Sequence, residues 1–246
     1  MGLAEDFERS GNRLFRWRGY LPLLALALLV IHLRHYHYLL GNAALDDAWE
    51  LACFVIAALG LALRAYVVGH TPKNTSGRNA REQRADSLNT SGLYSVVRHP
   101  LYLGNFLIFL GTVGFVHDPW PATVCLLGFW LYYERIMFAE EAFLRARFGD
   151  AYLEWAARTP AIVPSLRHWR APALPFSLRN VLRREYNNVF SVIVAMFLLD
   201  TISDSVAEGR VDFGRAWLLA LAIGFVAWIV LRTLKRRTQW LRVEGR

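Results

Sequence analysis

The chain has 246 residues, of which 55% are hydrophobic and 20% charged. The apolar residues are gathered into long runs instead of stripes at helical spacing, which argues against an ordinary soluble domain and indicates membrane spans. A net charge of +8 points to anionic lipid surfaces and away from nucleic acid, because the basic residues cluster between the apolar runs. Cys53 and Cys125 fall within apolar runs, which argues against a disulfide framework, and no spaced Cys/His set suggests a zinc site.

Residues 1–18 are polar and carry Arg9, Arg13, Arg16 and Arg18. The first apolar run spans Tyr20 to Leu33. Arginines ahead of an apolar core resemble a signal peptide, but the following Arg34-His35-Tyr36-His37-Tyr38 offers no small-residue cleavage site. A retained helix continuing to Leu40 is expected. His32, His35 and His37 read as part of an interfacial Tyr/His belt, with a metal site as the alternative. After a turn at Gly41 to Asp47, Trp49 to Val68 reads as a second span. Glu50 and Arg64 are costly against lipid, so both are expected to face the bundle.

A polar loop from His70 to Thr90 leads into Ser91-Gly-Leu-Tyr-Ser-Val-Val-Arg-His-Pro-Leu-Tyr-Leu-Gly-Asn105. Pro100 suits the first position of a helix, which places Arg98 and His99 at a helix mouth beside unpaired N–H groups. Such a mouth accepts a carboxylate or phosphate. His99 and Tyr102 share one side. Two apolar runs follow, Leu101 to Val116 and Ala122 to Tyr133, joined by the turn His117-Asp118-Pro119-Trp120-Pro121. That turn lies midway between His99 and Glu140. A helical hairpin across the bilayer therefore returns Glu140 and Glu141 to the side where His99 starts. Gly104, Gly111 and Gly114 read as close-packing positions.

Residues 139–158 read as an amphipathic surface helix, with Phe143, Leu144, Phe148, Tyr152 and Trp155 at helical spacing, ended by Pro160 and Pro164. Residues 165–187 are basic. Val189 to Ile202 reads as a fifth span, residues 203–214 as an acidic loop, Ala216 to Leu234 as a sixth span, and 235–246 as a basic tail. The expected fold is all-α, a polytopic membrane helix bundle of about six transmembrane helices with a cytoplasmic amphipathic helix. Its parts are an N-terminal hairpin (1–70), a central core (71–168) and a C-terminal basic segment with two spans (169–246). Of the 28 Lys and Arg residues, 24 fall on one side of this topology, so both termini and the Arg98–Tyr102 mouth are expected in the cytoplasm. On that side the sequons at Asn74 and Asn89 are chance matches.

The paired motif Arg98-His99-Pro100-Leu101-Tyr102-Leu103-Gly104, then Glu140-Glu141-x-x-Leu144-x-x-x-Phe148-Gly149-x-x-Tyr152 and Arg158-x-Pro160, resembles the isoprenylcysteine carboxyl methyltransferases and the related phospholipid methyltransferases. The resemblance covers roughly residues 70–165. It implies an integral membrane enzyme that uses S-adenosylmethionine, here on a membrane lipid or lipid-linked substrate; the membrane expected for this chain is a bacterial inner membrane. It implies cofactor contacts from Tyr94, His99, Pro100, Leu101, Tyr102, Glu140 and Glu141, and from the stretch around Asn89. The isoprenylcysteine enzymes carry a substrate arginine four positions before the first glutamate. Here that position is Ile136, with Arg135 next to it. The chain also adds two further spans after the motif.

The chemistry agrees with this resemblance. The cofactor has a carboxylate for the helix mouth and an ammonium for Glu140. Arg98 and Arg135, each within five residues of a cofactor candidate, are the candidates to fork an anionic oxygen of the acceptor; headgroup snorkelling is the plainer role for Arg98. The expected activity is methylation of a phosphate or carboxylate oxygen. The runner-up is N-methylation of phosphatidylethanolamine, and the rival of another class is a transporter or structural membrane protein.

Overall fold

The computed structural model describes residues 2–73, 75, 83, 85–211 and 213–246. Arg78, Arg81 and Arg84 of the basic loop, and Asn74 and Ser76 of the first sequon, lie outside the described residues. Among the described residues all regular structure is helical: α1 (Leu3–Trp17), α2 (Leu21–His32), α3 (Ala43–His70), α4 (Pro100–Gly114), α5 (Pro119–Phe148), α6 (Asp150–Arg158), α7 (Leu178–Glu208) and α8 (Arg215–Arg237), with short 3-10 turns between some of them. The protein is an all-α membrane bundle. Three helices, α3, α7 and α8, are long and apolar enough to span alone, and α1 with α2 makes a fourth candidate bent by 71°. Length and composition thus support three or four spans by themselves. The 15-residue α4 rises only ~22 Å, short of the ~30 Å hydrocarbon layer.

The polar N-terminus is a helix, which its charges conceal. Phe7, Gly11 and Phe15 recur at four-residue spacing and form the face that meets α5. Phe7 packs edge-on against Phe138 at 5.7 Å. Gly11 lies so close to α5 that a Cβ there would overlap the Arg135 carbonyl and Ala139. The chain bends at residues 18–20, and Pro22 sits in the first turn of α2. The expected continuation of this helix to Leu40 does not occur. The Tyr36 hydroxyl donates to Asp46 at 2.5 Å and the Leu39 N–H donates to the same carboxylate at 2.9 Å. These bonds fold residues 33–41 back over the start of α3, where Asn42 caps the helix by accepting from the Ala44 and Leu45 N–H groups.

Helices α3 and α4 also pack closely. Gly60 and Gly104 face each other there. A Cβ on Gly60 would come 2.6 Å from the Gly104 carbonyl, and one on Gly104 would meet the Arg64 side chain, so only glycine allows this approach. Asp118 caps α5 by accepting from the Trp120 N–H at 2.8 Å. The 30-residue α5 runs unbroken through Glu140 and Glu141 to Phe148. The surface helix expected over 139–158 is therefore two pieces. Nothing between Tyr133 and Phe148 disfavours a helix, and the break comes at Gly149, which adopts φ +52°. After α6, Ser177 caps α7 by accepting from the Asn180 N–H, so α7 begins eleven residues ahead of the apolar run. Leu29, Leu33, Phe115, Met196 and Leu199 are fully buried between α2, α4 and α7. Cys53 and Cys125 are buried free thiols.

Candidate active site

The segment before α4 is pinned by the chain that follows α6. The Arg98 N–H donates to the Pro160 carbonyl and the Ser165 N–H to the Val96 carbonyl, each at 2.9 Å. The Trp155 indole donates to the Tyr94 carbonyl, also at 2.9 Å. Pro160, a helix stop in the sequence, is thus also the acceptor that fixes Arg98. Pro100 opens α4 as its first residue, with His99 as the N-cap.

The α4–α5 hairpin carries Glu140 and Glu141 back to His99. The His99 ring, 7% exposed, lies between them. Its Nε2 is 2.9 Å from Glu141 Oε1, and its Nδ1 is 3.6 Å from Glu140 Oε2. Arg98 Nη1 donates to the other Glu141 oxygen at 2.9 Å. Tyr102 stacks on the His99 ring with centroids 5.5 Å apart and planes 21° off parallel, beside Glu140. Burial alone would lower the His99 pKa, but the hydrogen bonds and charges of Glu140 and Glu141 outweigh it and hold the ring above its ordinary value. Burial would raise both carboxyls, yet His99 pulls both below the usual carboxylate range, helped by Tyr102 and Arg18 at Glu140 and by Arg98 at Glu141. The mouth is a set of two acids and two bases that stabilise one another's charged forms.

Beside it lies a cavity of about 480 Å³. Of the ten candidates, Tyr94, Arg98, His99, Pro100, Leu101, Tyr102 and Glu140 line it. Glu141 does not; it stands behind the mouth and holds His99 and Arg98. Asn89 is also outside the lining, where its side chain donates to the Thr75 carbonyl at 3.2 Å. Arg135 points elsewhere. Its guanidinium donates to Ser10 Oγ at 3.0 Å and sits 4.5 Å above the Phe7 ring, docking α1 on α5. Helical phase accounts for this. Five residues before Glu140 is about 140° around the helix, whereas four residues before is only about 40°. Ile136, at that second position, is wholly buried.

The cavity also gathers polar residues that no local motif announces: Arg18 from the α1–α2 bend, Arg64 from α3, Asn105 from α4, and Arg184, Glu185 and Asn188 from α7. Arg64 forks Glu185 with bonds of 2.9 and 3.0 Å and donates to Asn105 Oδ1 at 2.5 Å. The two intramembrane charges seen in the sequence therefore do not pair with each other. Glu50 lies at the far end of α3, beside Asp46 and Asp200. The charge at Arg64 was a usable signal; its partner was not, since Glu185 lies in a segment that reads as a basic linker. Among the described residues, no group of three or more His, Cys, Asp or Glu side chains is arranged to hold a metal ion.

Residues 52–151 match the family model described as phospholipid methyltransferase. The chain is 28% identical over 167 residues to the nickel-cobalt-cadmium resistance protein NccN of Alcaligenes xylosoxydans xylosoxydans, covering 68% of this chain and 71% of that protein. It is 29% identical over 147 residues to protein-S-isoprenylcysteine O-methyltransferase B of Arabidopsis thaliana, covering 57% and 73%. It is 31% identical over 119 residues to the protein-S-isoprenylcysteine O-methyltransferase of Schizosaccharomyces pombe, covering 48% and 50%. No solved structure matches the chain. The matched segment contains both halves of the His99–Glu140 mouth, and over it the chain is similar to the phospholipid and isoprenylcysteine methyltransferases.

Proposed function

We propose that this methyltransferase uses S-adenosylmethionine to methylate an anionic oxygen of a lipid or lipid-linked acceptor, a lipid phosphate ahead of a prenylcysteine carboxylate. One observation carries the proposal. The cavity is lined by four arginines, Arg18, Arg64, Arg98 and Arg184, and by His99, against Glu140 and Glu185 in the lining and Glu141 behind it. A low-dielectric cavity with excess positive charge favours an anionic guest.

The residues suit the cofactor. Glu140 accepts from an ammonium or a ribose hydroxyl. Arg18 and the start of α4 suit a carboxylate. The faces of Tyr94 and Tyr102 suit a sulfonium. Bound there, S-adenosylmethionine supplies an electrophilic methyl group. The chain's own work is alignment and exclusion of water: His99 holds Glu140 in place, Glu141 holds His99 and Arg98, and the apolar walls keep the cavity dry. The Ile136 departure disfavours the prenylcysteine mode of acceptor binding, and Arg98 and Arg184 are the candidates to fork the acceptor instead. We place Arg135 in the docking of α1 and not in contact with the acceptor.

An anionic oxygen is already ionised at neutral pH and needs no base. Both cavity carboxylates are engaged, Glu140 by His99 and Glu185 by Arg64, which leaves neither disposed to deprotonate an amine. The relatives' printed names include O-methyltransferase, in keeping with oxygen. The family description, phospholipid methyltransferase, keeps N-methylation of phosphatidylethanolamine as the second reading. The test offers phosphatidylethanolamine, a lipid phosphomonoester and a prenylcysteine side by side with methyl-labelled S-adenosylmethionine. Label recovered as the methyl ester of the phosphate or of the carboxylate, identified by mass spectrometry of the product, supports oxygen transfer; label found only as an N-methylated headgroup rejects it.

A further inference from the structure

We infer that Tyr133 binds an anionic oxygen of the acceptor, and that Glu185, Arg64 and Asn105 form a one-way chain of hydrogen bonds that fixes its hydroxyl proton toward the cavity. This rests on the methyltransferase reading above. In the sequence Tyr133 is only the end of an apolar run.

Four helices supply the chain of bonds. Arg64 on α3 spends Nε and Nη2 on the Glu185 carboxylate of α7, at 2.9 and 3.0 Å, and the Asn188 amide donates to the same carboxylate at 2.7 Å. Arg64 Nη1 donates to Asn105 Oδ1 on α4 at 2.5 Å. A guanidinium has donors only, so the oxygen of the Asn105 amide faces Arg64 and its NH2 group is left for another partner. That NH2 group lies 3.1 Å from the Tyr133 hydroxyl oxygen on α5. Tyr133 therefore accepts from Asn105, and its own proton points elsewhere. Among the described residues no acceptor takes that proton. Tyr133 is only 6% exposed, and it lines the cavity together with Arg64, Asn105, Glu185 and Asn188. A buried O–H that makes no bond of its own is costly, and the cavity is the space open to it.

Core packing accounts for the ring and not for the hydroxyl. The ring lies 4.2 Å from Phe129 and 5.1 Å from Tyr102, centroid to centroid, contacts that a phenylalanine would keep. Tyr133 stands seven residues before Glu140 on the same face of α5, about 10 Å along the axis. It therefore lies deeper than the acids and the start of α4 that suit the cofactor. Bonds in such a chain polarise one another, and its last donor suits an anionic oxygen. An ammonium offers donors only and would meet the hydroxyl donor to donor. The tyrosine keeps its proton throughout, since the acceptor oxygen is already ionised. The cavity arginines supply charge, and Tyr133 supplies a single directed donor. Arg64 and Asn105 act through it and are positioning residues.

The test titrates the full chain in detergent by calorimetry with two probes, hexyl phosphate and N-acetyl-S-farnesylcysteine, and separately with S-adenosylmethionine. The probe that binds more tightly names the source of the oxygen, phosphate or carboxylate. Tyr133→Phe removes one oxygen atom and keeps the ring packing. It should weaken that probe about ten- to hundred-fold, the loss of a hydrogen bond to a charged group, and leave the affinity for S-adenosylmethionine unchanged. Asn105→Ala should weaken the probe on its own and add little in the Tyr133→Phe background, a non-additivity that a purely structural role does not produce. Unchanged probe affinity in Tyr133→Phe, an Asn105→Ala loss that is the same in both backgrounds, or a wild-type chain that binds neither probe overturns the proposal. So does a tenfold loss of S-adenosylmethionine affinity in Tyr133→Phe with probe binding intact, which assigns the hydroxyl to the cofactor. Probe binding that obeys both variants in a chain that neither binds S-adenosylmethionine nor methylates any acceptor upholds the anion site and overturns the methyltransferase reading instead.

Discussion

Replacing Arg64 tests how the α3–α7 junction is held. Arg64 and Glu185 are 14% and 6% exposed at the side chain and share two hydrogen bonds near 3 Å, with Asn105 taking a third from Arg64. Arg64→Met leaves the buried Glu185 carboxylate without its forked cation and with the Asn188 amide, at 2.7 Å, still donating to it, while Asn105 retains its bond to the Tyr133 hydroxyl. Breaking one side of such a pair costs about 3–5 kcal/mol. At roughly 2–4 °C per kcal/mol for a chain of this length, the midpoint of thermal unfolding should fall by about 6–20 °C. Glu185→Leu should be similarly harmful. The double variant Arg64→Met/Glu185→Leu should recover most of the loss, because an apolar pair of similar volume is often neutral or better. Thermal unfolding in one detergent at fixed lipid, run as a double-mutant cycle, gives the coupling. If the double variant is as unstable as the sum of the singles, or Arg64→Met alone costs under about 1 kcal/mol, the pair does not hold the junction as described.

His99→Ala, Tyr102→Ala and Glu140→Gln should each weaken S-adenosylmethionine binding about ten- to hundred-fold, the loss expected for a buried charge-assisted hydrogen bond, while the protein still inserts; wild-type affinity in Glu140→Gln would remove that carboxylate from the pocket. Stability should also depend on pH in a definite sense. The His99 pKa is raised above its ordinary 6.5, so its contribution is full below 6.5 and is lost as pH climbs through the raised value; those of Glu140 and Glu141 are lowered from 4.5, so theirs is full above 4.5 and is lost as pH falls through the lowered values. The midpoint of thermal unfolding measured across pH should therefore plateau near neutrality, and an alkaline limb that survives in His99→Gln would assign it to another group. Reporter fusions at Asp86 and at the C-terminus should score cytoplasmic and one at Ala207 external; an external C-terminus would break the proposed orientation.

The hairpin was legible because its two signals are local and symmetric. Pro100 marks a start, the turn at His117 to Pro121 marks the middle, and the return to Glu140 follows from counting. Beyond it, Arg64 was marked by its charge within an apolar run, the other pocket residues were not legible, and the causes differ. Arg135 and Ile136 are neighbours in sequence but about 100° apart on the helix, so closeness to Glu140 along the chain said little about facing it. Arg18 is one of four arginines in a polar stretch, and only the 71° bend after α1 turns it toward the cavity. Glu185 lies 121 residues from Arg64 inside a segment whose charges hide the start of α7. Charge repels a hydropathy window but not a helix, and Ser177 as an N-cap was the signal that outranked it.

The order of synthesis gives the α4–α5 hairpin a further meaning. Everything that meets at His99 lies between residues 91 and 160, so the mouth can close while α7 is still being made. The contacts that wall the cavity wait for Arg184 through Ala195. Growth of the chain thus separates two tasks in time: the mouth is assembled by short-range pairing, and the cavity becomes a closed room only when a helix from the end of the chain inserts beside it. Until then the arginines of the unfinished room face water or lipid, and α7 is the helix that takes the charge out of view.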